Sequence, residues 1–316
     1  MEWSRREVLG SVVGSVGAVA AGALPSAASV SQPKARQRSA AEPFGYCLNT
    51  STIRGNQLGI VREVEAIGKA GFDAIEPWIT EIDTYTKDGG TLKDLGRRIS
   101  DGGLTVANAI AFNAFLNDDP AQRAAGMEAL KTDMDKVAQI GGARIAVPPG
   151  RGPAVNLDNA AKYYREALEL GEKMGVHPLC ELWGTHPVLG PLRNGIYVTV
   201  AAGRPDASLL LDVFHIYKSG TQFISLRQIN GGALHVIHIN DYPQAADSST
   251  LNDSNRVYPG DGVAPFPQIL RDMRDNGFRG YFSLELFNKD YWAKPAEENL
   301  KTGLEKMRAV VKQALA

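Results

Sequence analysis

Eight short apolar runs, separated by longer amphipathic stretches, recur from residue 44 onward, and this alternation constrains the fold more than any other feature of the chain. The runs cover residues 44–48, 73–78, 104–110, 143–147, 176–181, 208–212, 234–240 and 281–286. Helical patterns occupy residues 58–70, 92–100, 121–140, 157–174, 191–202, 224–229, 265–276 and 296–314, the sixth being short and weakly patterned. Alternation of this kind builds a parallel sheet, either closed as a (β/α)8 TIM barrel or open and doubly wound. An open sheet would want a glycine-rich phosphate loop after an early strand, whereas Asn49, Thr50, Ser51, Thr52, Ile53 and Arg54 follow the first run. Strand count and the placement of polar residues favour the α/β barrel, expected as a single domain over residues 43–316. Gly71, Gly141, Gly175 and Gly277 each follow a helix, where a left-handed cap turns the chain back toward the next strand.

The 316 residues are 44% hydrophobic, enough for one large core, and 34 basic against 35 acidic residues leave a net charge of -1. That balance offers no electrostatic footprint for nucleic acid, and a small neutral or weakly charged partner fits better. The N-terminus carries Arg5 and Arg6 before a mildly apolar Gly/Ala/Val stretch and the small residues Ser26, Ala27 and Ala28, and it resembles a twin-arginine export signal. The expected organisation is a signal over residues 1–28, a disordered linker over 29–42 and then the barrel, giving a periplasmic or secreted protein without stable membrane insertion after cleavage; a retained anchor from Val8 to about Leu24, near the lower length limit for a span, is the alternative. The two cysteines, Cys47 and Cys180, fall on the first and fifth strands and are expected as unpaired packing residues.

Polar residues stand where an apolar strand ends. Glu181 closes the fifth run, Asp212 the sixth, His238 lies in the seventh and Glu285 in the eighth. Side chains alternate faces along a strand, so Tyr281, Ser283 and Glu285 point inward while Leu284 and Leu286 face the helices. An inward carboxylate is costly without a partner, and C-terminal strand ends of a barrel share one rim, so a cation held by Glu181, Asp212, His238 and Glu285 explains all four. Three carboxylates and an imidazole suit Mn²⁺ best, with Mg²⁺ or Co²⁺ as alternatives. His215 lies three residues after Asp212 and is positioned to face substrate. His186, Trp183, Asn240 and Arg256, all close to strand ends, are candidates for substrate contact. His177 and His235, deeper or at strand starts, read as packing or solvated residues.

Glu181 in the fifth strand, Asp212-x-x-His215 after the sixth, His238-x-Asn240-Asp241 in the seventh, Arg256 followed by Pro259-Gly260-Asp261-Gly262, and Ser283-Leu284-Glu285 in the eighth resemble the sugar phosphate isomerase/epimerase family of xylose isomerase-like TIM barrels. The resemblance implies that Glu181, Asp212, His238 and Glu285 hold Mn²⁺ or a similar ion, that His215 and Arg256 contact a carbohydrate, and that the two glutamates act as acid and base on opposite faces of a keto-sugar. Its chemistry would be proton transfer next to a carbonyl through an enediolate. Related members include inosose and 3-dehydroshikimate dehydratases, so loss of a β-hydroxyl is the alternative outcome. Epimerases of this kind often carry a further acid a few positions after the fifth-strand glutamate, where this chain has Thr185, His186 and Pro187. A phosphodiesterase of the same superfamily would need a basic groove and additional His and Asp ligands, and a non-enzymatic carbohydrate-binding barrel would bind sugar without turnover. Homo-oligomerisation is open at this level.

Replacement of Arg5 and Arg6 by lysine keeps the charge but removes the arginine pair, so precursor should accumulate in the cytoplasm. Fractionation and immunoblotting check this, and normal processing of the double variant would remove the twin-arginine expectation.

Overall fold

In the computed structural model, residues 42–150, 152, 155–245 and 247–316 are described. The expected signal and nearly all of the linker lie outside them.

The eight expected strands form as β1 (Gly45–Asn49), β2 (Ala74–Glu76), β3 (Thr105–Val106), β4 (Arg144–Val147), β5 (His177–Glu181), β6 (Leu209–Asp212), β7 (Leu234–His238) and β8 (Tyr281–Leu284). All ladders are parallel, in the order β3-β2-β1-β8-β7-β6-β5-β4. The remaining seam is closed by Ile110, which bridges Trp78 on one side and Ala146 on the other. The helices are α1 (Ile60–Ala70), α2 (Ile79–Lys87), α3 (Leu92–Asp101), α4 (Pro120–Gln139), α5 (Leu157–Met174), α6 (Leu192–Ala201), α7 (Val213–Lys218), α8 (Phe266–Asp275), α9 (Lys289–Trp292) and α10 (Ala296–Leu315). The weak sixth helical pattern folds instead as a 3-10 turn, Phe223–Gln228. Gly71, Gly141, Gly175 and Gly277 have φ of 88, 86, 69 and 87°, the left-handed conformation their positions require.

The period-two alternation of each strand sorts side chains into two cores. Outward residues such as Leu48, Ile75, Ile145, Leu211, Phe282 and Leu284 join the main cluster against the helices. Inward, Cys47, Ala74, Ala107, Leu179, Leu210 and Val236 form a separate apolar layer across the barrel. Cys47 thus faces the interior and Cys180 the helical layer, and both are free and buried. Directly above the inner layer, one pleat further along each strand, the inward residues turn polar: Asn49, Glu76, Glu181, Asp212, His238 and Ser283.

One buried carboxylate belongs to neither core. Glu63 on α1 is 4% exposed, and its Oε2 has no hydrogen-bond partner. Burial, with Glu81 adding repulsion and Arg54 opposing, pushes its carboxyl from 4.5 up to about 8. Between those values the folded chain keeps a proton that the unfolded chain has lost, so stability falls as pH rises from 4.5 toward 8. Glu63→Gln should therefore stabilise the fold at pH 8 by on the order of 1–2 kcal/mol and leave it nearly unchanged at pH 5. Urea unfolding at the two pH values checks this, and equal effects at both would sink it.

Candidate functional site

The polar layer at the C-terminal rim is built around a hydrogen bond across the barrel. His238 Nε2, on β7, lies 3.0 and 3.2 Å from the two carboxylate oxygens of Glu76, on β2. Glu76 is completely buried and also accepts from Asn49 Nδ2 at 2.9 Å, Asn108 Nδ2 at 2.8 Å and Ser283 Oγ at 2.6 Å. Burial alone would raise its carboxyl; His238 and these donors outweigh burial and hold it below its ordinary value. An ionised Glu76 makes Nε2 the protonated nitrogen of His238 and leaves Nδ1 as a lone pair.

That Nδ1 is buried and has no hydrogen-bond partner. It faces Glu285 Oε2 at 3.1 Å and Asp212 Oδ2 at 3.4 Å, two further acceptors. Three acceptors pointed at one spot call for positive charge: Arg256 Nη1 already reaches the two carboxylate oxygens, and Nδ1 itself would be served by a second proton on the imidazole or by a metal ion. The same repulsion lifts His238 well above its ordinary basicity: burial opposes this, but Glu285, Glu76 and Asp212 prevail. The potential ligand atoms of Asp212, His238 and Glu285 lie within 4.8 Å of one another, and all three residues are buried. The donor set fits a hard or borderline divalent ion. Glu181 is 5% exposed and stands outside that set of three. Its carboxylate makes no hydrogen bond with any described residue. Burial, joined by Glu285, Asp212 and Glu76 and opposed by His238, pushes its carboxyl up to about 8.

Local chain chemistry explains how each group is aimed. Asp212 ends β6 and at once caps α7, accepting from the His215 backbone at 2.9 Å through Oδ1, which leaves Oδ2 for the site. The spacing Asp212-x-x-His215 is therefore an N-cap spacing, and it carries His215 onto the first turn of a helix that the sequence patterns missed. Asn240 accepts from Phe214 N at 3.0 Å and donates to Asp212 Oδ2 at 3.0 Å, so its amide orients Asp212. Asp241 accepts from the backbones of Tyr242, Gly260, Gly262 and Ala264 at 2.8 to 2.9 Å. The Pro259-Gly260-Asp261-Gly262 loop is wrapped around that carboxylate. Gly260 has φ of 87°, and a Cβ on Gly262 would lie 2.2 Å from Tyr242 O, so both positions require glycine.

This loop delivers Arg256 into the barrel, where it is 1% exposed. Its Nη1 bridges Asp212 Oδ2 and Glu285 Oε2 at 2.7 Å each, and Asp253 holds its Nε and Nη2 at 3.1 and 2.6 Å. Nη2 also approaches His215 Nε2 at 3.2 Å. A guanidinium only donates, so Nε2 of His215 is the acceptor and the imidazole is neutral. Burial holds His215 below its ordinary value, with Arg256 acting in the same direction and Asp212 against it. Glu285 is fixed from the far side: Thr52 Oγ1 donates to Leu284 O at 2.8 Å and accepts from Leu286 N at 3.1 Å, while Asn49 Nδ2 reaches Glu285 Oε1 at 3.1 Å.

Aromatic rings line the mouth. Trp78 and Phe112 have centroids 5.3 Å apart, Phe112 and Trp183 6.1 Å, and Trp78 and Phe287 6.1 Å. Phe112 is 53% exposed, and Arg54 stacks on Trp78 at 3.9 Å. His186 Nδ1 accepts from Val188 N at 3.2 Å and Leu189 N at 2.9 Å, so its Nε2 carries the proton and remains a neutral donor. The structure thus joins Asp212, His238, Glu285, Asn240, Arg256 and His215 in one network, with Trp183 in the aromatic arc and His186 on the same β5 loop. Glu76 and Asn49 were missed by sequence reasoning, although Glu76 ends a strand as Asp212 does.

A family model described as xylose isomerase-like TIM barrel matches residues 64–310. An inosose isomerase of Bacillus velezensis is 28% identical over 84% of this chain and 96% of its own length. A 3-dehydroshikimate dehydratase of Pseudomonas aeruginosa is 25% identical over 78% of this chain but only 39% of its own. Among solved structures, the IOLI protein with a binding zinc atom superposes with a TM-score of 0.80 at 24% identity, over 86% of this chain and 99% of that one. This eight-stranded barrel, with its polar rim, belongs to the xylose isomerase-like TIM barrel family.

Proposed function

We propose that the chain is a divalent-metal-dependent isomerase or epimerase of a keto-sugar or related polyol, working by proton transfer next to a carbonyl. The observation that carries this is the buried His238 Nδ1, which has no hydrogen-bond partner and faces two carboxylate oxygens, with a third carboxylate, Glu181, beside them and free of hydrogen bonds to described residues. Asp212, His238, Glu285 and Glu181 would hold the ion, which would supply a Lewis acid to the substrate carbonyl. A related structure carries zinc, and the donor set equally admits Mn²⁺, the ion expected from the ligand types. Glu181 has no hydrogen-bond donor among the described residues, which leaves its carboxylate free to take a proton; Glu285, braced by Asn49 and Arg256, would return one from the other face. His215 and Arg256 would orient a substrate oxygen, and Trp183, with Trp78 and Phe112, would cover an apolar ring face. A cyclic polyol ketone is the substrate to test first, given the isomerase relative and this aromatic arc.

One observation favours a second outcome, dehydration. His186 is fixed as a neutral N–H donor on the loop after Glu181, where it would assist departure of a β-hydroxyl. The dehydratase relative agrees with this.

Purified protein should contain near one divalent ion per chain, and Asp212→Ala or Glu285→Ala should abolish that content. Glu76→Gln, which touches no ligand atom of the ion, should weaken metal affinity by roughly 10- to 100-fold by loosening His238. Metal analysis and calorimetry read both, and unchanged occupancy in the two alanine variants would falsify the metal assignment.

His215→Ala should keep the metal and lose turnover by about 10²-fold or more. With keto-sugars and inososes in deuterated water, NMR should find deuterium at the carbon beside the carbonyl in any product. Product without solvent deuterium would instead point to a shielded proton return or a hydride shift, and the roles given to Glu181 and Glu285 would be withdrawn.

A further inference from the structure

The opposite end of the barrel holds polar chemistry that the rim site does not use. Arg144 opens β4 in register with His177 at the start of β5, and both lie on the inward face, two residues before Ala146 and Leu179. His177 Nε2 is 2.5 Å from Ser208 Oγ, whose own hydroxyl donates to Asp206 O at 3.0 Å. The single hydroxyl proton is thereby committed, so His177 is the donor of that pair. The His235 ring meets His177 edge-on, with centroids 5.6 Å apart at 83°. All three side chains are half-buried, open enough for solvent and closed enough to feel one another.

No described carboxylate balances them. Arg144 makes no hydrogen bond or ion pair with a described residue, and burial depresses its basicity. Asp206 is chelated by Arg204 at 2.9 Å through both oxygens, and Asp73, opening the β2 side, accepts from Tyr46 N at 2.9 Å. Burial, then Arg144 and His177, pushes His235 down to about 4; burial lowers His177 too, with Asp206 opposing and Arg144 and Arg204 reinforcing. Tyr281, whose ring packs beneath the inner apolar layer, is the remaining titratable neighbour of Arg144.

We propose that this floor binds a small tetrahedral oxyanion of the phosphate or sulfate class, held by Arg144 with His177 and His235. A guanidinium offers a planar fork of donors that matches two oxyanion oxygens, and two imidazoles within reach add donors once an anion lets them protonate. The layer of Cys47, Ala74, Ala107, Leu179, Leu210 and Val236 separates this floor from the rim, so occupancy acts on stability, not on the chemistry above. Binding to the folded chain alone stabilises it in proportion to the logarithm of anion concentration once the site saturates.

The test is thermal unfolding of the full chain in inorganic phosphate, in sulfate and in sodium chloride of matched ionic strength at pH 6.5. Phosphate and sulfate should each raise the midpoint by roughly 2–4 °C beyond chloride, with a saturable onset. Arg144→Gln should remove the excess. Histidine C2–H titrations by NMR, assigned through His177→Gln and His235→Gln, should shift upward by about one unit in phosphate for these two residues only. That readout does not use the arginine variant, so it decides the matter even if Arg144→Gln does not fold. A midpoint no higher than in chloride, an excess retained in Arg144→Gln, or unmoved titrations of His177 and His235 would each overturn the proposal.

Discussion

The rim site depends on the bond between Glu76 and His238, which joins β2 to β7 across the barrel interior. It fixes which imidazole nitrogen carries the proton, and so which one is left to face Asp212 and Glu285. An amide in place of Glu76 would preserve shape but offer only one oxygen to three donors now shared between two. The ionised carboxylate is stable in a fully buried position only because those donors and the imidazole converge on it. The orientation of His238, the direction in which Nδ1 faces Asp212 and Glu285, and the closure of the polar layer are thus one requirement.

Around that bond, the carboxylates serve backbone and site in different proportions. Asp212 caps α7 with one oxygen and faces the centre with the other. Asp241 uses both of its oxygens on backbone N–H groups and reaches no site atom directly, yet it builds the loop that carries Arg256 inward. Asp253, on the surface, then fixes the guanidinium plane. Spacing motifs that look like lists of ligands are therefore partly motifs of local backbone closure. Such closure makes a buried Arg256 affordable among two carboxylates, because its charge and its direction are both satisfied.

Eight strands and the glycine caps were legible because each rests on local information: two-residue alternation and one left-handed residue per turn. Glu181, Asp212, His238 and Glu285 were legible for the same reason, as inward polar residues ending apolar runs. Helix α7 was not, since its six residues are too few to express a helical period and its start is hidden in the aspartate that ends β6. Helix α2 was missed because Ile79–Lys87 carries three threonines between its apolar residues and gives only a weak stripe. Glu76 carried the same strand-end signal as Asp212, but what makes it functional is contact with Asn49, Asn108, Ser283 and His238, up to 207 residues away, and no local pattern encodes those partners.

The barrel also separates what its rigid strands fix from what its loops supply. The polar layer is set by strand ends, whose register the parallel ladders fix. Trp78, Phe112, Trp183 and His186 come instead from the loops after β2, β3 and β5, where a change of length or side chain leaves the strands undisturbed. In the proposed reaction, proton removal beside a carbonyl would draw on the first group. Under that proposal, reprotonation or loss of a hydroxyl would depend on which donor stands above the substrate and on the angle at which the aromatic wall presents the ring. Such a division, with the proposed common step on rigid strands and the branching step on loops, would accommodate both the isomerase and the dehydratase relatives on one scaffold.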